Sequence, residues 1–326
     1  MFILGFQGSP RKKGNSQHLL STFMKAAQQY GADTMIIDVP RRDIRPCLEL
    51  TVCEKKGYCP IKDDMQREIY ALIRRADLII LASPVFFYAM TAQLKALIDR
   101  CQTLWARKYR LKLTDPNGPR RQGLLLAVGA TSGKELFTGL ELTAKYFFDA
   151  VDASYQGSLT YPKIEGPNDL KHHLEMPSQV AKEAKRLLAL FTKRRRILFT
   201  CRKNDCLSQM AAAMTQFKAG DLLDVNCAGS TPAEKIHPML IDVMAEKRID
   251  MAFRVPKGLD EVVGSRPPDI LVGLDCFEAC PYLPDIQRIN WNFPELKDDS
   301  IEALRSIRDE IEEKVNYLID QLRQTD

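Results

Sequence analysis

The sequence lacks the marks of several large protein classes. No apolar run approaches membrane-spanning length; residues 78–88 are too few and carry Ser83 and Pro84. No charged region precedes the first apolar run, so a signal peptide is not expected. Charge imbalance is small: the formal net charge is +5 and the basic residues are scattered. That favours an anionic small ligand and argues against nucleic acid or membrane partners. None of the four histidines stands in a metal-binding pattern with cysteine or carboxylate, and His237, before Pro238, reads as structural. Nine cysteines without a secretion signal indicate thiol or metal chemistry rather than a disulfide framework, and a cytoplasmic protein. What is present suffices for real cores: 45% of the 326 residues are hydrophobic, and the length allows two domains.

The first half is organised around residues 2–20, FILGFQGSPRKKGNSQHLL. An apolar run, 2–6, reads as a buried strand, a hydroxyl- and glycine-rich loop follows, and Leu19, Leu20 and Phe23 recur at helical spacing. Such a loop aims backbone N–H groups and a helix N-terminus at one spot, which suits a phosphate; an ordinary β-to-α turn with a solvated basic rim is the plainer reading. Further strands are expected at 34–39, 77–83, 123–129 and 154–159. Leu94, Leu97, Ile98, Cys101, Leu104 and Trp105 mark a helical stripe between two of them. Strands alternating with amphipathic helices imply a parallel sheet covered on both faces, with ligands at the carboxyl ends of its strands. Three loops fall there: 8–16, 83–88 (SPVFFY, with groups for a flat ring) and 129–133 (GATSG, open to close backbone approach). For Phe86 and Phe87, core packing is the alternative.

GSPRKKGNS, the DDM at 63–65, SPVFFY and AQLKALIDR at 92–100 together resemble the flavodoxin-fold NAD(P)H-dependent FMN reductases, in particular the iron–sulfur flavoprotein branch, over about residues 1–190. The resemblance implies FMN as cofactor, NAD(P)H as co-substrate, and a homodimer or homotetramer. It implies that Ser9, Arg11, Asn15 and Ser16 hold the FMN phosphate. Pro84, Val85, Phe86 and Phe87 would flank the ring, and Gly129, Thr131 and Gly133 would line its other side. Iron–sulfur flavoproteins carry four cysteines between the second strand and the DDM. This chain has Cys47, Cys53 and Cys59, with Leu50 where the fourth falls. Leucine cannot ligate and the spacing fits zinc poorly, so no intact cluster is expected and a structural role in a subunit contact is.

Residues 163–178 read as a loop, a helix follows to about 191, and the basic run 193–196 reads as a solvated linker face. The boundary is placed at 192, giving domains 1–192 and 193–326. The second domain repeats the strand, polar loop, helix order, its loop running from Cys201 to Ser208. A thiol at a strand end, ringed by loop amides and just before a helix, should have a depressed pKa and be nucleophilic, unless Cys201 and Cys206 are plain core cysteines. ILFTCRKNDCLSQMAAAM, CAGSTPAEKIHP and WNFPELKDDSIEALRSIRDEI resemble the low-molecular-weight phosphatase fold, in its arsenate reductase branch. The resemblance makes Cys201 the nucleophile toward arsenate. It makes Cys276 and Cys280 the pair that shuttles the disulfide, and the loop with Arg202, Lys203, Asn204 and Ser208 the oxyanion cradle. Two departures follow: Leu207 replaces an arginine whose fork grips two oxygens, and Glu295 followed by Leu296 displaces the usual aspartate. Phosphatase activity is therefore not expected, oxyanion chemistry should be impaired, and Cys206 is placed to trap Cys201 as a local disulfide. The last element, from Ile301 to Leu322, reads as an amphipathic helix that packs on the second sheet.

The expected fold is thus α/β, two doubly wound parallel-sheet domains, flavodoxin-like then phosphatase-like. The expected function is a flavin oxidoreductase passing electrons to a small-molecule acceptor or to the second domain's thiols. The alternatives are an oxyanion-binding or redox-sensing module without turnover, and a working arsenate reductase.

Overall fold

A computed structural model describes residues 1–263, 267–275, 286–293 and 300–325. The chain divides into two compact units. One comprises Met1–Lys112 and Asn117–Thr192; the other comprises Leu113–Pro116 and Lys193–Asp326.

The first unit is a five-stranded sheet of β1 (Phe2–Gln7), β2 (Asp33–Asp38), β3 (Leu78–Pro84), β4 (Gln122–Val128) and β5 (Ser154–Tyr161), in the order β2-β1-β3-β4-β5. Every pairing is parallel, the doubly wound flavodoxin-like order. Its helices are α1 (Asn15–Gln28), α2 (Val52–Lys56), α3 (Tyr70–Arg75), α4 (Ala92–Arg100), α5 (Gln102–Tyr109), α6 (Thr138–Ala150) and α7 (Met176–Leu188). The period-2 alternation of the strands sorts the core. Ile3, Leu78, Ile80, Leu124 and Leu126 pack with α1 and α7. On the other face Phe148 of α6 lies so close to Gly123 that a Cβ there would come within 2.2 Å of its ring. The stripe read as one helix is two, broken at Cys101, whose side chain is buried. The helix expected to reach about 191 ends at Leu188, although Phe191 stays buried.

The second unit is a four-stranded parallel sheet of β6 (Arg195–Cys201), β7 (Leu223–Gly229), β8 (Ile270–Gly273) and β9 (Gln287–Asn290), in the order β7-β6-β8-β9. Its helices are α8 (Leu207–Ala219), α9 (Pro238–Glu246), α10 (Leu259–Val263) and α11 (Ile301–Thr325). Ile197, Phe199 and Cys201 of β6 share a face with Met210, Met214, Val243 and the α11 residues Leu304, Ile311 and Val315. Leu198 faces the other way, with Leu271 and α10. The terminal helix therefore packs on this sheet, as its stripe predicts. Among the described residues no helix is long and apolar enough to cross a membrane.

Candidate functional site

In the first unit β1 is flanked by β2 and β3, so the chain reverses its winding direction between β1 and β3, and their following loops part to leave a crevice. The loop after β1 is braced from below. Gln7 is buried; its amide Nε2 donates to Ser9 O at 2.8 Å and its Oε1 accepts from Ser9 N. Gly8 N donates to Ala82 O at 2.8 Å, and Thr91 Oγ1 donates to Gly8 O at 2.6 Å. Gly8 has no room for a Cβ, which would meet Leu94 at 2.8 Å. Ser9 and Ser16 are buried and Arg11, Lys12 and Lys13 are exposed around the rim. The cap of α1 is Gly14, with no side-chain cap and no acidic residue in the first turn. The first N–H groups of this 14-residue helix are thus left for an anion. Asn15 has a different part. Its Nδ2 donates to Gly166 O at 2.9 Å and its Oδ1 accepts from Leu170 N at 3.3 Å, so the side chain ties the loop to residues 166–170.

The loop after β3 is a tight two-residue turn. Phe86 and Ala89 exchange backbone hydrogen bonds of 2.9 and 3.0 Å, and between them Phe87 and Tyr88 stand at φ 48° and 60°. Both central residues at positive φ is the geometry that ordinarily selects Asn-Gly. Bulky aromatics there are held in a costly conformation. Phe86 and Tyr88 are about half exposed and Phe87 is fully exposed, which removes core packing as their reason. Tyr88 reaches the third loop, where a Cβ on Gly133 would come within 2.8 Å of its hydroxyl. That loop, with Thr131 and Gly133 exposed, is pinned at its back by Ile164 N to Gly129 O (2.9 Å) and Lys163 N to Thr131 O (3.1 Å).

The DDM and the arginine of ALIDR meet in a buried ion pair, Asp63 with Arg100, both side chains fully shielded. Arg100 Nη2 donates to Asp63 Oδ1 at 3.2 Å, and Nη1 also donates to Arg45 O at 2.9 Å. Asp63 accepts from Arg45 N and Met65 N, each at 3.1 Å. The pair thus closes the base of the loop that carries Cys47, Cys53 and Cys59. Burial, then the neighbouring Cys59 and Cys47, push the Cys53 thiol up from its ordinary value. Among the described residues no three His, Cys, Asp or Glu side chains are grouped to hold a metal ion.

In the second unit the loop after β6 wraps around Cys201. Asn204 N donates to Cys201 Sγ at 3.1 Å, and Ser208 Oγ lies 2.9 Å from the same sulfur. Asn204 Nδ2 donates to Ser208 Oγ at 2.7 Å, which leaves the serine proton for the sulfur. Asn204 stands at φ 51°, a region asparagine tolerates. Gly229 lets the loop pass, since a Cβ there would lie 2.7 Å from Arg202 O and 2.9 Å from Asn204 N, both backbone atoms. Arg202 and Lys203 are exposed, and Arg202 N donates to Asp275 Oδ1 at 2.8 Å. Cys201 and Cys206 are both buried.

Cys201 does not have a depressed pKa: burial, with Asp275 adding to it, pushes the thiol up to about 11 against the opposing hydrogen bonds from Ser208 and Asn204. The cause is the strand. Cys201 follows Phe199 by two, so it points into the same core as α8. Leu207, buried in that core, brings no charge to compensate. Cys276, Cys280, Glu295 and Leu296 lie outside the described residues. Residues that the sequence did not single out complete both sites: Gln7 and Thr91 in the first, Gln209, Arg254, Lys257 and Asp275 in the second. Only Thr91 carries a local signal, as the helix cap whose Oγ1 accepts from Leu94 N.

Residues 1–136 match the NADPH-dependent FMN reductase family and residues 196–326 match the low molecular weight phosphotyrosine protein phosphatase family. An iron-sulfur flavoprotein of Methanocaldococcus jannaschii is 39% identical over 32% of this chain and 53% of its own. Another, from Methanosarcina thermophila, is 35% identical over 40% of this chain and 64% of its own. The chain thus spans between about half and two thirds of the length of these flavoproteins. An arsenate reductase of Bacillus cereus is 33% identical over 36% of this chain and 90% of its own length.

Proposed function

From a chain that belongs over its second unit to the arsenate reductase family, and whose first 136 residues match the FMN reductases, we propose an NAD(P)H-dependent FMN oxidoreductase that delivers electrons to a small-molecule acceptor or to the thiols of its own second unit. The observation that carries this reading is the exposed Phe86–Phe87–Tyr88 turn, held strained at the same sheet edge as the uncapped start of α1.

The residues present fit FMN. The N–H groups of the first turn of α1, with the hydroxyls of Ser9 and Ser16, offer donors to the phosphate, and Arg11 adds charge at the rim. Asn15 shapes the loop through residues 166–170. Pro84, Val85, Phe86 and Phe87 offer a flat apolar wall, and Gly129, Thr131 and Gly133 a low opposite one. The cofactor, when bound, supplies hydride acceptance and onward electron transfer. The chain's own contribution is to bind it, fix the ring by stacking and keep water from one face. Fusing a thiol domain to such a site raises the effective concentration of an acceptor.

Full-length protein titrated with FMN is expected to saturate at one per chain with quenched flavin fluorescence, and NAD(P)H should then bleach the bound flavin. Arg11→Ala should weaken FMN binding about tenfold by losing a charge-assisted contact to phosphate. Folded protein that refuses FMN rejects the reading. Free-thiol counts that do not rise after NAD(P)H addition reject delivery to the second unit and leave a free-standing flavin reductase.

A second reading is oxyanion binding or redox sensing without turnover; the raised, buried Cys201 thiol and the core position of Leu207 favour binding without turnover and disfavour sensing of oxidants. Arsenate titration separates the two: steady NAD(P)H consumption supports turnover, and binding without consumption supports the sensor.

A further inference from the structure

A multiply charged oxyanion beside Cys201 would be offered backbone N–H groups and the Ser208 hydroxyl, yet no buried cation from the loop itself. Leu207 lies in the apolar core, and Arg202 and Lys203 are exposed.

A cation reaches the loop from another segment. Arg254, half-buried, donates from Nε to Gln209 Oε1 at 2.9 Å. Gln209 is buried and passes its amide to Asn204, at 3.1 Å to the carbonyl and 3.2 Å to Oδ1. Lys257 N adds a second tie to Asn204 Oδ1 at 2.9 Å. Residues 254–257 and the loop around Cys201 therefore form one hydrogen-bonded unit, with Arg254 three hydrogen bonds from the sulfur: through Gln209, then Asn204, then Sγ. Among the described residues Arg254 makes no ion pair, and its two terminal nitrogens have no hydrogen-bond partner. A guanidinium anchored by Nε keeps both terminal amino groups for a fork-like grip on two oxygens. Charge left unneutralised beside a built loop is what a bound anion would neutralise.

We propose that Arg254 supplies the positive charge for a tetrahedral oxyanion held at the Cys201 loop, its guanidinium positioned by Gln209. This rests on the reading of the second unit as an oxyanion binder and names the residue that makes it one.

The test is calorimetric titration of the full chain with inorganic phosphate and with arsenate, paired with the rate at which iodoacetamide alkylates Cys201. The wild type should bind, and bound phosphate should slow alkylation. Arg254→Gln should bind about 10- to 100-fold more weakly, the scale of one lost charged contact, with Arg254→Lys in between. In phosphate-free buffer Arg254→Gln should be alkylated at Cys201 more slowly than the wild type, with Arg254→Lys in between, because a cation near the loop favours the thiolate. Binding by Arg254→Gln within twofold of the wild type overturns the inference while leaving the oxyanion reading in place. So does a lysine variant that binds phosphate no better than glutamine, since that marks a tie through Nε rather than a charge. A wild type that binds neither anion removes the reading and the inference together.

Discussion

Asp63→Ala is expected to destabilise the protein by about 3–5 kcal/mol, the cost of leaving a buried charge without its partner. For a unit of this size that is a fall of about 6–20 °C in the melting temperature, measurable by circular dichroism. Arg100 has no solvent exposure to fall back on, and its guanidinium would keep the carbonyls of Arg45 and Ile61 as hydrogen-bond partners but no carboxylate among the described residues. The double variant Asp63→Leu, Arg100→Met should recover part of the loss, because it removes both charges together. Recovery stays incomplete, since the N–H groups of Arg45 and Met65 lose the carboxylate that accepts from them. A single variant that melts within about 1 °C of the wild type would show that the pair is not buried in solution.

The second large effect concerns Cys201. A thiol raised to about 11 carries about 100-fold less thiolate at pH 7.5 than an ordinary cysteine. Alkylation of Cys201, followed by peptide mass spectrometry, should be at least about tenfold slower than that of an exposed cysteine, the scarcity of thiolate being offset in part by its greater basicity. The sign follows from the direction of the shift: the neutral form is favoured until the pH nears 11, so the rate should climb about tenfold per pH unit from 7 to 10. Ser208→Ala removes a hydrogen bond that favours the thiolate and should slow the reaction further. A rate that plateaus below pH 8 would restore the nucleophilic reading.

The fold was legible wherever burial is two-sided. Strands β1, β3 and β4 are buried almost throughout and read as plain apolar runs, and α11 announces itself by its stripe. Strand β5, half-buried and polar, runs two residues beyond the expected 159, to Tyr161. That Leu113–Pro116 belongs with the second unit had no local signal: Thr114 pairs with Ile249 by backbone hydrogen bonds, which any side chain permits.

The sites were legible as loops and less so as chemistry. Cys201, Asn204 and Ser208 do come together. The alternation in Ile197, Phe199 and Cys201 places the thiol on the core face, while its polar neighbours at 202–205 point to an open loop, and the alternation prevails. Arg254 and Lys257 act from some fifty positions downstream (their bonds span 45 and 53 residues), and no spacing rule points to them. Asn15, which stands in the candidate phosphate loop, spends its amide on residues about 150 positions away.

The turn at Phe87 and Tyr88 has a consequence for anyone seeking a hardier protein. Two aromatics in a conformation suited to Asn-Gly tax the folded state by about 1–3 kcal/mol each. Phe87→Asn with Tyr88→Gly should therefore raise the melting temperature while stripping the rings from the sheet edge, and weaker FMN retention should accompany the gain. Thermal robustness and grip on a planar guest would then be rivals at one pair of residues, and screening for heat tolerance alone would steer toward a sturdier but poorer binder.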